Sequence, residues 1–444
     1  MAAIADAKGH RTHLLDTEAQ SYTVESLAAA IRRVDPDLVV VKAKTPSRDS
    51  LLELLASLPY PTLGFDHAFL YRPEEFFDRA PQFLGIILGE SELTFGEVVD
   101  RLEAKEPLDD VAGMSFWDGE QLLETPARPI LEDLDSLPVP KYDWFLNRDY
   151  YYFYPVPLGL EKRMAFMLTS RGCPMKCIFC SPTLRQTYEP SMRYHSVDRV
   201  VEEMRLLSDK GVTLIHFRDD IFTLRRKRVM ELCARLEAEN LPVKWSVQTH
   251  VNHVDEEVLS AMKRAGCVTI GMGLESGSEK VLEAIQKTNK LDHARDVFRI
   301  TRRLGIKTVG FFLIGNPTET EADLQLTWKL IRDTNPDMIQ IALFTPYAGS
   351  WAWDNLLSDE ERESSEAVHH YNAFSYNFSE VDADRLVKVQ RNFYLKYLMR
   401  PRNLRRFAVD VAVNSVVNPH VTFKLVDSAY RFLIKRSLVR TPRA

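Results

Sequence analysis

The 444-residue sequence has few cysteines, no long apolar run and no low-complexity segment. Its five cysteines are an odd number in a long chain, so a disulfide framework would be sparse and a reducing compartment is favoured. No apolar run approaches the roughly 20 residues that span a bilayer, and the N-terminus lacks the apolar core of a signal peptide. The formal net charge of -6 gives no indication of a nucleic-acid partner. We therefore expect a cytoplasmic protein.

The C-terminal tail is basic although the whole chain is acidic. From position 400 onwards the chain carries ten Lys or Arg residues and two Asp or Glu residues. Basic and apolar residues are mixed in two stretches, at 400–413 and 430–436. A basic amphipathic helix of this kind can lie on an anionic membrane surface and can present a lipid substrate to a soluble enzyme. The alternative, which we favour, is a helical lid that packs on the preceding domain and leaves its arginines in solvent.

Residues 1–106 alternate between short apolar strands and amphipathic helices. The predicted strands are 12–15, 38–41 and 83–88, and the predicted helices are 2–8, 24–34, 51–58 and 95–102. This alternation favours an α/β domain with a parallel sheet that is covered on both faces. From 107 to 160 the pattern gives way to a proline-rich segment with an aromatic run at 149–154, which we interpret as a linker that wraps the next domain.

Residues 161–360 show strand–helix units at a more regular spacing. Six strands are predicted, at 164–168, 213–217, 244–247, 268–273, 307–313 and 338–344, with helices between them. Six units favour a partial (β/α)6 barrel, short of the eight units of a complete TIM barrel. The remaining residues, 361–444, are predicted to form a helical extension.

Three of the five cysteines lie within eight residues, directly after the first barrel strand. Cys173, Cys177 and Cys180 on one loop can converge on one metal centre, but three ligands do not complete a zinc site or a cubane. A fourth ligand from Cys233 or Cys267 is an alternative, although the first lies in a helical pattern and the second begins a strand. The other alternative is an open iron that binds a small molecule.

The CxxxCxxC spacing at the end of a first barrel strand resembles the signature of the radical SAM superfamily. The resemblance implies that Cys173, Cys177 and Cys180 hold a [4Fe–4S] cluster whose unique iron is chelated by S-adenosylmethionine (SAM). Reduction of that cluster would release a 5′-deoxyadenosyl radical. Phe179, beside the last cysteine, would cover the cluster and meet the adenine.

Later segments resemble other parts of the same family, each at the C-terminal end of a barrel strand, where βα loops form the site. Segment 219–222 resembles the part beside the methionine end of SAM, and 273–278 resembles the GxESGS segment, which makes polar contacts to SAM. Segment 310–320 resembles the part that passes the adenine, and 345–350 resembles the end of the sixth strand. The implied SAM-binding residues are Phe179, Asp219, Asp220, Glu275, Ser276, Gly310 and Gly315.

Some of these residues also have a structural alternative. Asp219 and Asp220 could cap the following helix, Glu275 could be a structural hydrogen-bond partner, and the three cysteines could hold a structural zinc. Cys233 and Cys267 are most simply small buried residues. Three histidines near strand ends could donate protons, although no catalytic residue is assigned; they are His216, His250 and His253.

Residues 1 to about 105 resemble the cobalamin-binding domain that precedes the barrel in a large radical SAM subfamily. Such domains are flavodoxin-like and hold the corrinoid across the carboxyl ends of their strands. Thr45, Ser47, Gly64 and Glu90 would lie at that edge. The chain begins in the first helix, so the first, central strand of a 2-1-3-4-5 sheet is missing. We expect either a start upstream of Met1 or a degenerate domain, and no DxHxxG motif is present.

The resemblance implies a radical SAM enzyme that functionalises a C–H bond, by cobalamin-dependent C-methylation if a corrinoid is bound. Without a corrinoid, the same radical would drive ring formation, rearrangement or carbon–carbon coupling on a lipid or secondary metabolite. A non-catalytic iron–sulfur protein for electron transfer or sensing is the alternative of another class. Expected partners are a small-molecule or lipid substrate and an electron donor such as flavodoxin or ferredoxin, with peripheral membrane contact through the tail as an option.

Overall fold

The computed structural model describes residues 1–405, apart from 18, 21, 44–47, 71, 147–162, 181–190, 348 and 364–375, and also residues 408, 409 and 412. The strands of the described residues are β1 (Val39–Lys42), β2 (Thr62–Phe65), β3 (Phe83–Ile87), β4 (Met114–Trp117), β5 (Leu122–Glu124), β6 (Met164–Met167), β7 (Ser170–Arg171), β8 (Arg193–Tyr194), β9 (Leu214–Phe217), β10 (Lys244–Thr249), β11 (Cys267–Glu275), β12 (Lys307–Ile314) and β13 (Met338–Leu343). The α-helices are α1 (Ala2–Ala7), α2 (Val24–Val34), α3 (Arg48–Ser57), α4 (Glu74–Arg79), α5 (Ser91–Ala104), α6 (Asp143–Leu146), α7 (Val197–Asp209), α8 (Arg226–Glu239), α9 (Glu256–Arg264), α10 (Glu279–Ala284), α11 (Leu291–Leu304), α12 (Glu321–Thr334), α13 (Trp351–Leu356), α14 (Asp359–Glu363) and α15 (Ala383–Leu398).

The first sheet contains β1 to β5 in chain order. Strands β1, β2 and β3 run parallel, whereas the hairpin β4–β5 adds two antiparallel strands. The sheet thus continues beyond residue 106 into the segment that we interpreted as a linker. An α/β sheet with helices was predicted for this part of the chain, and the fold confirms it.

The predicted strand at residues 12–15 is wrong, because these residues form no strand in the structure. In a 2-1-3-4-5 sheet this strand pairs only with the central first strand, and the described residues contain no such strand. Without that partner there is no ladder to join. For the same reason β1 becomes an edge strand, and three of its four residues are only partly buried.

The second sheet contains six parallel strands in the order β6, β9, β10, β11, β12, β13. All six were predicted from the sequence, and the partial barrel is confirmed. Polar residues fix where the helices begin: Ser196 accepts a hydrogen bond from the backbone N–H of Arg199, and Asp255 from that of Val258. The helices bury their apolar faces on the sheet in one continuous core, with Trp245 fully buried at its centre.

The two edges of this six-stranded sheet differ in whether a helix covers them. At β13, the backbone N–H of Ile341 donates to the hydroxyl of Tyr394 at 2.8 Å, and the Ile341 carbonyl accepts from the side chain of Gln390 at 2.8 Å. Both side chains belong to α15, so this helix covers the edge and protects it from pairing with another chain. The opposite edge, at β6, borders a cavity.

The start of the basic tail packs on the barrel. Arg400 donates to the side chain of Asn335 at 2.9 Å, and Arg402 lies 3.4 Å from a carboxylate oxygen of Asp337. These contacts agree with the lid interpretation for residues 400–405; most of the tail and the aromatic run at 149–154 lie outside the described residues. No helix that the structure describes combines the length and the apolar composition needed to cross a membrane.

Candidate radical SAM site

The three cysteines lie on a loop that leaves the barrel after β6 and β7. Gly172 has a φ of +96°, a conformation that glycine adopts readily, and it turns the chain just before Cys173. The Cys173 and Cys177 side chains are buried, and the backbone N–H of Cys180 donates to the Cys177 carbonyl at 3.2 Å. Burial and the two other thiols raise the pKa of Cys180 to about 12. The thiolates therefore need a cationic group beside them in order to ionise.

The loop fits a cluster better than a single metal ion. Among the residues that the structure describes, no three Cys, His, Asp or Glu side chains are placed to hold one ion. A structural zinc needs ligands that converge on one point, whereas a [4Fe–4S] cubane takes each thiolate on a different iron. Cys233 and Cys267 are buried in the barrel core, 1 % and 0 % exposed, and belong to its apolar packing. Three loop thiols leave one iron for another ligand.

Apolar packing holds the cysteine loop against the ends of the later strands. The backbone N–H of Ile178 donates to the Ile285 carbonyl at 3.2 Å, and the Ile178 carbonyl accepts from Ala352 at 3.0 Å. Ile178 is buried in a cluster with Leu313 of β12, and Phe179 packs on the same cluster. Phe179 is thus beside the cysteines and near the end of β12, as its predicted contact with adenine requires.

Asp219 holds the strand that leads into the loop. Its carboxylate, 1 % exposed, accepts hydrogen bonds from the Thr169 backbone at 2.7 Å, from the Thr169 hydroxyl at 2.6 Å and from the Ser170 hydroxyl at 2.6 Å. The helix-capping alternative is wrong for Asp219, because α8 begins at Arg226 without a side-chain cap. These hydrogen bonds give the carboxylate a positioning role, and its predicted contact with SAM stays a prediction.

Asp220 differs from its neighbour. It is only partly buried, and none of the hydrogen bonds among the described residues involves its carboxylate. Burial and the nearby Asp219 carboxylate raise its pKa to about 7, and its charge acts on Cys173 and Cys180. Asp220 is therefore the carboxylate of this pair that faces the cysteines, where a SAM contact stays a prediction.

Glu275 forms a buried ion pair that sequence reasoning missed. It has a φ of +60° at the end of β11, and its carboxylate lies 3.1 Å from the ammonium of Lys287. Glu275 raises the pKa of Lys287 against the opposing effect of burial, and Cys177 and Cys180 act in the same direction. The sequence indicates this pair only through the position of Lys287, twelve residues after Glu275 in the polar turn beyond α10. Lys287 places a positive charge beside the cysteines.

Ser276 and Gly310 serve packing in this structure. The Ser276 hydroxyl is fully buried and lies 3.1 Å from the hydroxyl of Thr327 on α12, so it joins β11 to that helix. A Cβ at Gly310 would lie 2.9 Å from the ring of Phe312 and 3.0 Å from Pro336, which explains glycine there without a cofactor. Their predicted SAM contacts stay predictions.

Gly315 forms the turn after β12 together with a buried carboxylate. Its φ is +78°, and its backbone N–H donates to Glu319 at 2.6 Å. The backbone N–H of Asn316 donates to the same oxygen at 3.1 Å. Glu319 is fully buried, and burial raises its pKa to about 7. This carboxyl group therefore shapes the segment that is predicted to pass the adenine.

Replacing Glu319 by glutamine should alter the pH dependence of stability. A carboxyl group whose pKa is raised in the folded state stabilises the fold below its unfolded pKa, and that stability is lost as the pH rises through the folded pKa. We expect wild type to lose up to about 3 kcal/mol relative to Glu319→Gln between about pH 4.5 and about pH 7. Melting temperatures of both proteins at pH 5 and pH 8 measure this difference. The exposed control Glu231→Gln should differ from wild type by the same melting temperature at both pH values. The same behaviour in Glu319→Gln would contradict the prediction.

The histidines near the strand ends are held neutral. His216 is fully buried and shares a hydrogen bond of 2.8 Å with the Ser246 hydroxyl, and burial lowers its pKa to about 3. His250 accepts a hydrogen bond from the Asn252 backbone, and burial lowers its pKa to about 3 as well. Burial also lowers the pKa of His253. The hydrogen bonds of His216 and His250 fit structural roles, and proton donation by any of the three histidines stays a prediction.

The carboxyl edge of the first sheet faces the cysteine loop. Glu90, just after β3, binds Arg193 through contacts of 2.6 and 3.0 Å and lies 3.4 Å from Arg171. Glu92 binds Arg171 at 2.6 Å. All four side chains are largely buried, and Arg171 lies two residues before Cys173. Glu90 therefore joins the first sheet to the two-stranded sheet of β7 and β8, which leads into the cysteine loop. Its predicted cobalamin contact stays a prediction.

The other predicted cobalamin residues are only partly described. Thr45 and Ser47 lie outside the described residues. A Cβ at Gly64 would lie 2.5 Å from the ring of Phe69, so this glycine makes room for that ring. Phe65, the bulky residue that follows, packs on an apolar cluster that includes Met114. The Phe65 ring therefore packs against the interior of the domain.

Comparison with known proteins agrees with this site. Residues 167–331 match the sequence profile of the family described as the Radical SAM superfamily. The chain is 31 % identical over 407 residues to an uncharacterized methyltransferase of Pyrococcus horikoshii, which covers 89 % of this chain and 86 % of the relative. It is 30 % identical over 381 residues to the anaerobic magnesium-protoporphyrin IX monomethyl ester cyclase of Cereibacter sphaeroides, covering 82 % of this chain and 59 % of that enzyme.

A solved structure shows the same fold. The radical S-adenosylmethionine methyltransferase TsrM from Kitasatospora setae, with cobalamin and a [4Fe–4S] cluster bound, superposes with a TM-score of 0.65. The match covers 79 % of this chain and 69 % of TsrM at 16 % identity. The cysteine loop, the barrel and the extent of the match to the Pyrococcus relative agree with one another, and the chain belongs to the radical SAM superfamily.

Proposed function

We propose that this chain is a cobalamin-dependent radical SAM methyltransferase that transfers a methyl group to a carbon atom of a small molecule or lipid. The contact between the carboxyl edge of the first sheet and the cysteine loop carries the proposal. Glu90 and Glu92 follow β3 at that edge, and both lie on Arg171, which leads into Cys173. Flavodoxin-like sheets bind ligands at their carboxyl edge, so a corrinoid held there would face the cluster.

The cysteine loop fits a [4Fe–4S] cluster with SAM on its open iron. When bound, the cluster supplies the electron that cleaves SAM to a 5′-deoxyadenosyl radical. Cys173, Cys177 and Cys180 would hold three irons, and Lys287 would place a positive charge beside them that favours the thiolate forms. Apolar side chains around Phe179 would exclude water from the radical.

Relatives support the methyl-transfer part of the proposal. The Pyrococcus relative is named a methyltransferase, and TsrM binds cobalamin in the same fold. Thr45 and Ser47 follow β1 in the sequence and would therefore meet the corrinoid at the same edge. Because the cluster must be reduced before each cleavage, the proposal includes an electron donor such as flavodoxin or ferredoxin.

A second candidate is ring formation without methyl transfer. The observation that favours it is the 30 % identity to a cyclase over 82 % of this chain. The cysteine loop and its supports serve both candidates equally, because both begin with the same radical. The two differ in whether a corrinoid is retained and whether a methyl group leaves SAM.

The test uses anaerobic protein with a reconstituted cluster, a strong reductant and SAM carrying a trideuterated methyl group. We expect 5′-deoxyadenosine by chromatography and a corrinoid spectrum that survives desalting after hydroxocobalamin is added. Transfer of the labelled methyl to the corrinoid fraction would support methyl transfer. Formation of 5′-deoxyadenosine without corrinoid retention would favour ring formation instead, and a reconstituted cluster that does not bind SAM would overturn both candidates.

A further inference from the structure

A cavity of about 560 Å³ lies beside β6, where the six-stranded sheet is open. Its walls come mainly from three places: α1 of the first sheet's domain, residues 137–146, and the strand residues 164–168. A few residues from α5, β7, α7 and the end of β9 also line it. The volume is within the range of about 300–1,000 Å³ of sites that bury a small molecule. Because α15 covers the opposite edge at β13, the β6 side is the open edge of the barrel among the described elements.

Two residues of the cavity wall lie close in the sequence to the predicted radical site. Arg171 lies on its wall and leads into Cys173, the first cysteine of the loop. Arg218 also lies on its wall and directly precedes Asp219 and Asp220. The three cysteines do not line the cavity, but its wall includes the residues that lead into their loop and into the aspartate pair.

The walls are mostly apolar and include two exposed aromatic rings. Phe166 of β6 is 44 % exposed and Phe145 is 40 % exposed, and both line the cavity. The Phe166 ring also meets His216 edge-on, with ring centroids 6.0 Å apart, so its position is fixed. Large apolar side chains that remain exposed in a concave site mark a surface for an apolar ligand. Flat phenyl rings favour a ligand with a ring system of its own.

Among the charged side chains on the cavity wall, Arg218 has no ion pair with a described residue, although its charge acts on Asp220. The N-terminal ammonium of Met1 is a second cation on this wall. The other charged side chains on the wall have counter-ions among the described residues: Glu92 with Arg171, Arg199 with Glu203, Lys141 with Asp6, and His195 with Asp135. Arg218 is exposed, and no ion pair or hydrogen bond of its guanidinium is found in the described part of the chain. A guanidinium at the wall of an apolar cavity binds carboxylate or phosphate groups strongly, because little water competes.

We infer that this cavity binds the substrate of the proposed reaction, and that this substrate combines an apolar ring system with an anionic group. Phe166 packs on the ring system and Arg218 pairs with the anion, next to the cysteine loop. To call this ligand the substrate, the inference relies on the proposed function. The chemistry of the cavity, however, is testable without turnover.

Two dyes with nearly the same ring system provide the test. The first, 1-anilinonaphthalene-8-sulfonate, carries an anion, and the second, N-phenyl-1-naphthylamine, is neutral. We expect Arg218→Gln to weaken binding of the anionic dye by about tenfold and to leave the neutral dye almost unchanged. Phe166→Ala should weaken both dyes. Arg391→Gln, an exposed arginine on α15 outside the cavity, is the matched control and should change neither.

Each variant is first compared with wild type by melting temperature and by the visible spectrum of its cluster, so that misfolding is recognised. If Arg218→Gln misfolds, Arg218→Lys is used, which keeps the charge but loses the two-point contact and should weaken only the anionic dye. Equal effects of Arg218→Gln and Arg391→Gln, or no binding of either dye to wild type, would overturn the inference. Formation of 5′-deoxyadenosine is measured on the same samples: if it persists while the dye results fail, the cavity inference fails alone.

Discussion

Cys177→Ala is expected to remove the cluster and to abolish 5′-deoxyadenosine formation. Cys177 is buried at the centre of the loop, and its thiol lies close enough to those of Cys173 and Cys180 to shift their pKa values. Two remaining thiolates hold a cubane much more weakly than three, so activity should fall by more than about 100-fold. Visible absorbance after anaerobic reconstitution, iron content and chromatography of 5′-deoxyadenosine measure the loss.

Cys233→Ala is the matched control, since it removes a buried thiol of the same chain far from the loop. Cys233 lies on α8 within the barrel core and is 1 % exposed. Its loss leaves a small cavity and should cost about 1 kcal/mol of stability while the cluster is retained. Equal iron content in wild type and Cys177→Ala would contradict the assignment of the cluster to this loop.

The barrel could be predicted from the sequence because its local signals agree with its tertiary contacts. The inner barrel strands are short apolar runs that are buried on both faces, as β11 shows with eight of nine residues buried. Side-chain caps such as Ser196 and Asp255 mark where the helices start. The cysteine spacing then places the site at the end of the first strand. These features depend on residues close together in the chain.

The roles within the site could not be predicted because they depend on partners far apart in the chain. Asp219 lies 50 residues from Thr169, and Glu90 lies 103 residues from Arg193. Nothing in the local sequence shows that these carboxylates are already bound by protein groups. The strand predicted at 12–15 failed for the same reason, since a strand needs a neighbour that local pattern does not supply.

The neighbouring aspartates provide a further test, because the structure gives them opposite roles. Asp219→Asn replaces an acceptor of three hydrogen bonds by an amide whose NH₂ group must face the hydroxyls of Thr169 and Ser170. The hydroxyl oxygens can accept from that NH₂ group, but their own O–H groups then lose the carboxylate as their acceptor. A buried donor left without an acceptor costs about 1–3 kcal/mol, so the melting temperature should fall by several degrees. Because the cysteine loop follows directly after Ser170, cluster content should fall as well.

Asp220→Asn should have the opposite profile. Its carboxylate holds no described hydrogen bond, and its charge is disfavoured by burial and by Asp219, so the asparagine variant should melt at the wild-type temperature or above it. If Asp220 faces SAM as we propose, this variant keeps its cluster but binds SAM about tenfold more weakly, as equilibrium dialysis would show. Loss of the cluster in Asp220→Asn together with an intact cluster in Asp219→Asn would reverse the two assignments. Asp219 would then be the residue beside SAM, and the three hydrogen bonds would be secondary to that contact.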